Sequence, residues 1–492
     1  MIVAISWLPK GAAKSVPAPA EPPSKEEVEE MLKSGVLQKS DEAENEEDNE
    51  EESDVEMNFD TSRNCEVEGE NEDSPVNNVD LTEAMKELDM DNYDDEEDGA
   101  EIFGSGLKDL YYASNKLDPY LKCDDIDSEE EEDTVIKSDD AVIVCARNED
   151  DVSHLEVWVL DNLTDNCLNM YVHHDIIIPA FPLCTAWLDC PLKGREEKGN
   201  FIAVGSMEPA IEIWDLDIID EVLPSVVLGG SAAKKMGKKK STEFKTGSHT
   251  EAVLGLAWNE EYRNVLASAS ADKSVKIWDV SKQICDITMN DHVDKVQAVA
   301  WNPFHPKILL SGSFDRSVIL KDVRIPSHAG LKFSVAAQVE SLKWDPHAEN
   351  SFLVSLENGT ISSFHLEAGA DPNMKPSFTL HAHDKAVCSI AFNPLVPNLL
   401  ATCSLDKTVK LWDLSGNQPS CIASRNPKAG ALFSISFSND YPYLLAMGGS
   451  EGKLEVSELY SDFPRLIPYI ILFFISTKYF LGSTSRVMTN LA

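Results

Sequence analysis

One stretch of this chain, VLGLAWNEEYRNVLASASADKSVKIWDV, returns as VQAVAWNPFHPKILLSGSFDRSVILKDV and again as VCSIAFNPLVPNLLATCSLDKTVKLWDL. No other feature constrains the fold as strongly, because a unit repeated at a fixed period buries its apolar face only against its neighbours. The three copies end at Trp278-Asp279, Lys321-Asp322 and Trp412-Asp413, and weaker copies end at Trp158, Trp214, Phe364 and Ser457. From Trp278 onward the end points lie 43, 43, 48 and 45 residues apart, counting back to Trp278 and forward to Ser457.

At that period each repeat forms the four strands of one propeller blade, and the dipeptide endings are those of WD repeats. Seven end points predict an all-β, seven-bladed WD40 β-propeller. The best copies also carry a hydrogen-bonding set. His249, Ser268, Asp272 and Trp278 stand where WD repeats link a turn aspartate, a histidine, a strand hydroxyl and the tryptophan indole. His383, Thr402, Asp406 and Trp412 repeat the spacing, and His292, Ser311 and Asp315 supply three members with Lys321 in place of the tryptophan. A Ser, a His and an Asp together also invite a hydrolase reading. Position argues against it, since such a set stitches each blade and does not converge on one pocket.

Counting strands brings in the first residues, MIVAISWLPKG. Each blade opens with an inner strand of form V-x-x-[LIV]-x-W-x-P, as in Val296-Val299-Trp301-Pro303. The first blade has strands at AVIVCAR and HLEVWVL but only SEEEEDTVIKSDD upstream of them. Ile2-Ile5-Trp7-Pro9 fits the missing template, so residues 1–10 are expected to supply the inner strand of that blade. The alternative is a frayed N-terminal tail. A secretory leader is not expected, because the stretch has no basic n-region and Pro9-Lys10 ends its apolar run. Residues 141–458 are then the propeller, and residues 11–140 an insertion between two strands of one blade.

That insertion holds most of the charge. Up to residue 140 there are 45 acidic and 11 basic residues, a net of −34 out of −44 for the whole chain. DEAENEEDNEEESD and DDIDSEEEED bury too little apolar surface to fold, so the insertion is expected to be largely disordered. SKEEVEEMLKSG (24–35) reads as a short helix capped by Ser24. Ser53 and Ser128 each precede a glutamate by three residues, which suits an acidophilic kinase. Tyr93, Tyr111, Tyr112 and Tyr120 lie in two apolar islands, LTEAMKELDMDNYDDEE and DLYYASNKLDPYL. Aromatics within acidic chain can dock on a basic partner; they can equally pack back on the propeller.

Opposite charge is concentrated in the 64-residue gap between Trp214 and Trp278. Its lysine-rich loop (231–247) carries Lys234, Lys235, Lys238, Lys239, Lys240 and Lys245, a nuclear localisation signal or nucleic-acid patch, or else a solvated basic loop facing the acidic segment. Ten scattered cysteines without a CxxC pair favour neither a zinc site nor a disulfide framework. The C-terminal stretch 459–492 contains an apolar run, Ile467–Ile475, about half a membrane span long. Tyr469–Ile475 is placed to be the closing outer strand of the last blade.

Taken together, ELDMDNYDDEEDG, DLYYASNKLDPYL, DAVIVCARNEDDVSHLEVWV, MYVHHDIIIPAFPL, GNFIAVGSMEPAIEIWDLDIID, the lysine-rich loop and NVLASASADKSVKIWD resemble the periodic tryptophan protein 1 family, its plant members most closely. The resemblance runs to about Glu455; the apolar tail departs from it, and Ser457-Glu458 stands where a seventh WD-like pair is expected. It implies a nuclear, largely nucleolar scaffold that acts in ribosome biogenesis and pre-rRNA processing and in rDNA chromatin through histones. No cofactor or metal is implied, and nucleic acid would be contacted indirectly. A competing expectation is a substrate receptor of a cullin-RING ubiquitin ligase, with Arg324 of Lys321-Asp322-Val323-Arg324 as the adaptor contact. An enzyme is not expected, since no glycine-rich phosphate loop or nucleophile motif appears.

Overall fold

The computed structural model describes residues 1–20, 135–150, 152–161, 169–192, 198–231, 244–325, 327–328, 330–366, 375–415 and 418–459. The chain divides into two units, Met1–Pro23 with Glu129–Ala492, and Ser24–Ser128. The second unit lies wholly outside the described residues. So do the helix expected at 24–35, Ser53, Ser128, the four tyrosines, Lys234, Lys235, Lys238, Lys239, Lys240 and the run Ile467–Ile475.

The first unit is a ring of seven antiparallel sheets. Blade 1 runs from β1 (Ile2–Trp7) through β3 (Ala141–Glu149) and β4 (Val152–Asp161) to β5 (Asn169–Ile178). A two-residue strand β2 (Ala18–Pro19) lies between β1 and β3 in the chain. Blade 2 runs β6 (Pro182–Leu188), β7 (Phe201–Ser206), β8 (Ala210–Asp215) and β10 (Val226–Gly229), with β9 (Ile218–Ile219) set apart from it. Blade 3 is β11 (Val253–Trp258), β12 (Val265–Ser270), β13 (Val275–Asp279) and β14 (Ile284–Met289). Blade 4 is β15 (Val296–Trp301), β16 (Ile308–Ser313), β17 (Ser317–Asp322) and β18 (Leu331–Ser334). Blade 5 is β19 (Val339–Trp344), β20 (Ser351–Leu356), β21 (Thr360–His365) and β22 (Phe378–His381). Blade 6 is β23 (Val387–Phe392), β24 (Leu399–Ser404), β25 (Val409–Asp413) and β26 (Ser420–Arg425). Blade 7 has three described strands, β27 (Leu432–Phe437), β28 (Leu444–Gly449) and β29 (Leu454–Glu458).

β1 carries the mark of an inner strand. All seven inner strands have a register shift after their first residue, at Ile2/Ala4 in β1 as at Val253/Gly255 in β11 and Val387/Ser389 in β23. Beyond the shift, Trp7 stands opposite Ile143 of β3. Such a bulge bends the strand and increases its local twist.

Ring closure follows from the same residue. The Trp301 indole donates to Ala257 O at 3.0 Å and Trp344 to Ala300 O at 3.2 Å, each reaching back one blade. Trp7 donates to Ser436 O at 3.1 Å, the equivalent place on blade 7. Ile2 and Ile5 bury themselves against Leu444 and Ala446. A side chain at Gly448 would meet Ile2 Cγ2 at 2.5 Å, so that close approach needs a glycine.

Successive strands alternate in direction, so the ring has two faces. Turns between second and third strands share one face with the links between blades. Turns between first and second strands, and between third and fourth, share the other. The acidic insertion therefore leaves and returns on the second face. The stem of the lysine-rich loop, bridged at Ser231–Phe244, rises from the first.

Candidate functional site

In blade 3 the Trp278 indole donates to Ser268 Oγ at 2.8 Å, and Ser268 Oγ lies 2.7 Å from His249 Nε2. His249 Nδ1 is 2.9 Å from Asp272 Oδ2. An indole can only donate, so the proton order is set: Ser268 accepts from Trp278 and donates to His249 Nε2, and His249 Nδ1–H donates to the carboxylate. Asp272 also accepts from Ser274 Oγ at 2.6 Å and from the backbone N–H of Thr250 at 3.1 Å. Burial alone would raise its pKa, but the donors from His249 and Ser274 outweigh that and hold the carboxyl well below its usual range. The histidine stays neutral, its pKa lowered chiefly by burial.

Blade 6 repeats this with Trp412 to Thr402 at 3.0 Å, Thr402 to His383 at 2.8 Å and His383 to Asp406 at 2.8 Å. Ser268 and Thr402 are fully buried, each with a lone pair held by an indole. Neither hydroxyl can meet a substrate. In blade 4, His292 joins Ser311 at 2.9 Å and Asp315 at 3.1 Å, while Lys321 Nζ turns instead to Asp291. A cavity of about 10 Å3 remains among His292, Ser311 and Lys321, close to the room one water needs.

Blades 1 and 2 solve the same problem with residues that spacing did not single out. Cys145 and Val204 stand at the hydroxyl position, opposite Glu156 and Glu212. Glu156 accepts from the Trp158 indole at 2.9 Å and Glu212 from Trp214 at 3.3 Å. The signal is the pair E-x-W in LEVWV and IEIWD. In blade 5, Phe364 replaces the tryptophan and needs no partner; it stacks on Phe352 at 5.2 Å.

Four buried histidines give a pH prediction. His174, His249, His292 and His383 all have pKa values lowered by burial, His174 to about 4. The unfolded chain takes up these protons near 6.5 and the folded chain does not. Stability is therefore full above that value and falls as pH drops through the window beneath it. Asp272, Asp315 and Asp406 are lowered carboxylates, and their contribution is lost only below about 3.8. Glu212 and Glu340, raised by burial, act in the opposite sense and reduce the net slope. The urea midpoint should be lower at pH 5.5 than at pH 7.5; an unchanged midpoint would mean the histidines are not held neutral.

The insertion stems are built into the second face. Leu8 N–H donates to Val142 O at 3.0 Å, and Lys10 Nζ pairs with Asp139 at 2.8 Å. Lys14 N–H and the Asn200 amide both donate to Asp217 Oδ1, at 3.0 and 2.8 Å. β2 then pairs in parallel with β9. On the return, Ile136 is buried in the core shared with Leu8, Val142 and Leu216. Its N–H donates to Ser15 O at 2.8 Å, so the outgoing and returning chains are bonded to each other.

Arg324 lies on the same face, between β17 and β18. Its side chain is 62% exposed and its guanidinium is clamped on Asp322 of its own blade. Among the described residues no cluster of His, Cys, Asp or Glu could hold a metal ion, and no helix is long and apolar enough to cross a membrane.

The model of the WD domain, G-beta repeat, matches residues 239–279, 283–322 and 374–413. An uncharacterized WD repeat-containing protein of Schizosaccharomyces pombe is 43% identical over 76% of this chain and 74% of its own length. Periodic tryptophan protein 1 of Saccharomyces cerevisiae is 30% identical over 94% of this chain and 88% of its own. The periodic tryptophan protein 1 homolog of Drosophila melanogaster is 29% identical over 67% and 69%.

Proposed function

Since this chain belongs to the periodic tryptophan protein 1 family, we propose that it is a non-enzymatic scaffold of nucleolar ribosome biogenesis and rDNA chromatin. Its acidic insertion binds basic partners, ribosomal proteins or histones, and the propeller is the rigid base from which the insertion is displayed. The observation that carries this reading is the bond between Ser15 and Ile136. With it, the acidic segment is a loop held at both ends. Charge on such a loop raises the encounter rate with a cationic partner and is screened over about 8–10 Å at physiological salt. The lysine-rich loop, rising from the other face, directs the chain to the nucleus, and Ser53 and Ser128 add charge when phosphorylated.

Deleting residues 36–133 keeps both stems. Capture of core histones and of large-subunit precursor particles should then fall at least tenfold in 0.1 M salt, and the intact chain should lose capture as salt is raised. Equal capture with and without the segment would defeat the proposal. The exposure of Arg324 supports the ligase-receptor reading as the second one. Arg324→Ala is expected to leave the partner set unchanged; loss of a ligase adaptor from the co-purified proteins would favour the receptor instead.

A further inference from the structure

We propose that the two stems of the acidic insertion form a strap across the seam of the ring, and that a polycationic protein bound to the insertion tightens it. This rests on the reading of the insertion as a binder of basic partners. The seam is the junction of blade 7 with blade 1, where Trp7 meets Ser436. On the second face the stems reach beyond their own blade. Lys10 N–H donates to Asp440 Oδ2 at 2.7 Å, in the turn between β27 and β28 of blade 7. The neighbouring Tyr441 Oη donates to Asp139 O on the returning stem at 2.5 Å, and Lys10 Nζ lies 5.8 Å from the centre of its ring. Toward blade 2, Ala18 N–H donates to Asp217 O at 2.9 Å and Ala20 N–H to Ile219 O at 2.8 Å. The stems thus run from blade 7 past blade 1 to blade 2 as one bonded band.

The band holds lightly. The side chains of the Lys10–Asp139 pair are 45% and 83% exposed, and so open an ion pair contributes little. Surface bonds of this kind open locally while a core stays closed, so a small load moves them. A load is present in the sequence: residues 21–135, between the stems, hold 43 acidic and 8 basic residues, a net of −35. Like charges on a tethered chain repel and drive its ends apart. Here those ends are the stems, which the bond from Ile136 N–H to Ser15 O joins. A partner rich in lysine or arginine cancels the repulsion, and the strap closes more firmly on Asp440 and Tyr441. The coupling is reciprocal, so a firmer strap also favours the bound partner.

Hydrogen–deuterium exchange at the amides of Leu8, Lys10 and Ile136 tests this, with those of Asn302 and Val323, bonded on the same face in blade 4, as the control. At low salt, saturating poly-L-lysine should slow exchange at the three stem amides at least threefold and leave the control unchanged. A chain without residues 36–133 should exchange at the slow rate with or without poly-L-lysine. Asp440→Ala with Tyr441→Phe, which cuts the strap from blade 7, should speed exchange at all three at least tenfold. Anisotropy of labelled poly-L-lysine reports binding separately. Binding without slower exchange at the stems would overturn the strap while leaving the insertion a cation binder, as would a shortened chain that exchanges as fast as the intact one. No binding at all would defeat both readings.

Discussion

Trp7→Ala should lower the unfolding free energy of the propeller by about 3 kcal/mol, at the lower end of the range for a buried tryptophan because the ring is only half-buried. Two losses combine. The indole leaves the core it shares with Ile2, Ile143 and Leu444, and Ser436 O loses the donor that joins blade 7 to blade 1. The effect is predicted to exceed that of Trp258→Ala, although both tryptophans end an inner strand. Trp258 donates to Arg263 O within its own blade, and it meets the neighbouring blade only through an edge-on ring contact with Trp187 at 5.5 Å and apolar packing, with no hydrogen bond across. A chain starting at residue 11 should lose cooperative unfolding altogether, since β3 would then expose the edge that β1 covers. Urea unfolding followed by tryptophan fluorescence measures all three. If the chain without β1 unfolded cooperatively at an unchanged midpoint, the first strand would be an accessory to the ring and not part of its closure.

Asp272→Ala should be nearly as damaging, at about 3 kcal/mol, because it strands a fully buried histidine donor. The loss spreads along the relay. Without the carboxylate, His249 no longer has a reason to hold its proton on Nδ1, and Ser268 can no longer rely on Nε2 as an acceptor. Asp272→Asn should cost about half as much: its one oxygen keeps either the Ser274 donors of Oδ1 or the His249 and Thr250 donors of Oδ2, and its amide nitrogen cannot accept from the other set. Asp322→Ala provides the contrast. That carboxylate is paired on the surface with Arg324, where an ion pair contributes no more than about 1 kcal/mol. Equal costs for Asp272→Ala and Asp322→Ala would show that the buried relay contributes nothing beyond an exposed pair.

Some of this could be read from residue spacing and some could not. The repeat period locates the third strand of every blade, because Trp158, Trp214, Trp278, Lys321, Phe364, Trp412 and Ser457 all lie in one. Positions within a single repeat are close in the chain, so a fixed spacing implies a fixed geometry. The glutamates that cap Trp158 and Trp214 were hidden for a different reason. They replace a hydroxyl on one strand with a carboxylate on the next, and only the pairing of Cys145 with Glu156 and Val204 with Glu212 reveals the exchange. Lys321 is similar: its charge sits beside Asp291, thirty positions away, with no spacing to announce it.

The opening strand shows where the division falls. By itself the sequence determined how many blades there are, which residues end them, and that Ile2, Ile5 and Trp7 match an inner-strand template, because these are properties of local pattern. Only the tertiary structure decided that Trp7 closes the ring on Ser436 and that Ser15 bonds Ile136 where the acidic insertion leaves and rejoins the propeller. Each of those is a pairing between residues far apart in the chain. Backbone groups that carry no side-chain signature take part in both, and no repeat period encodes their partners.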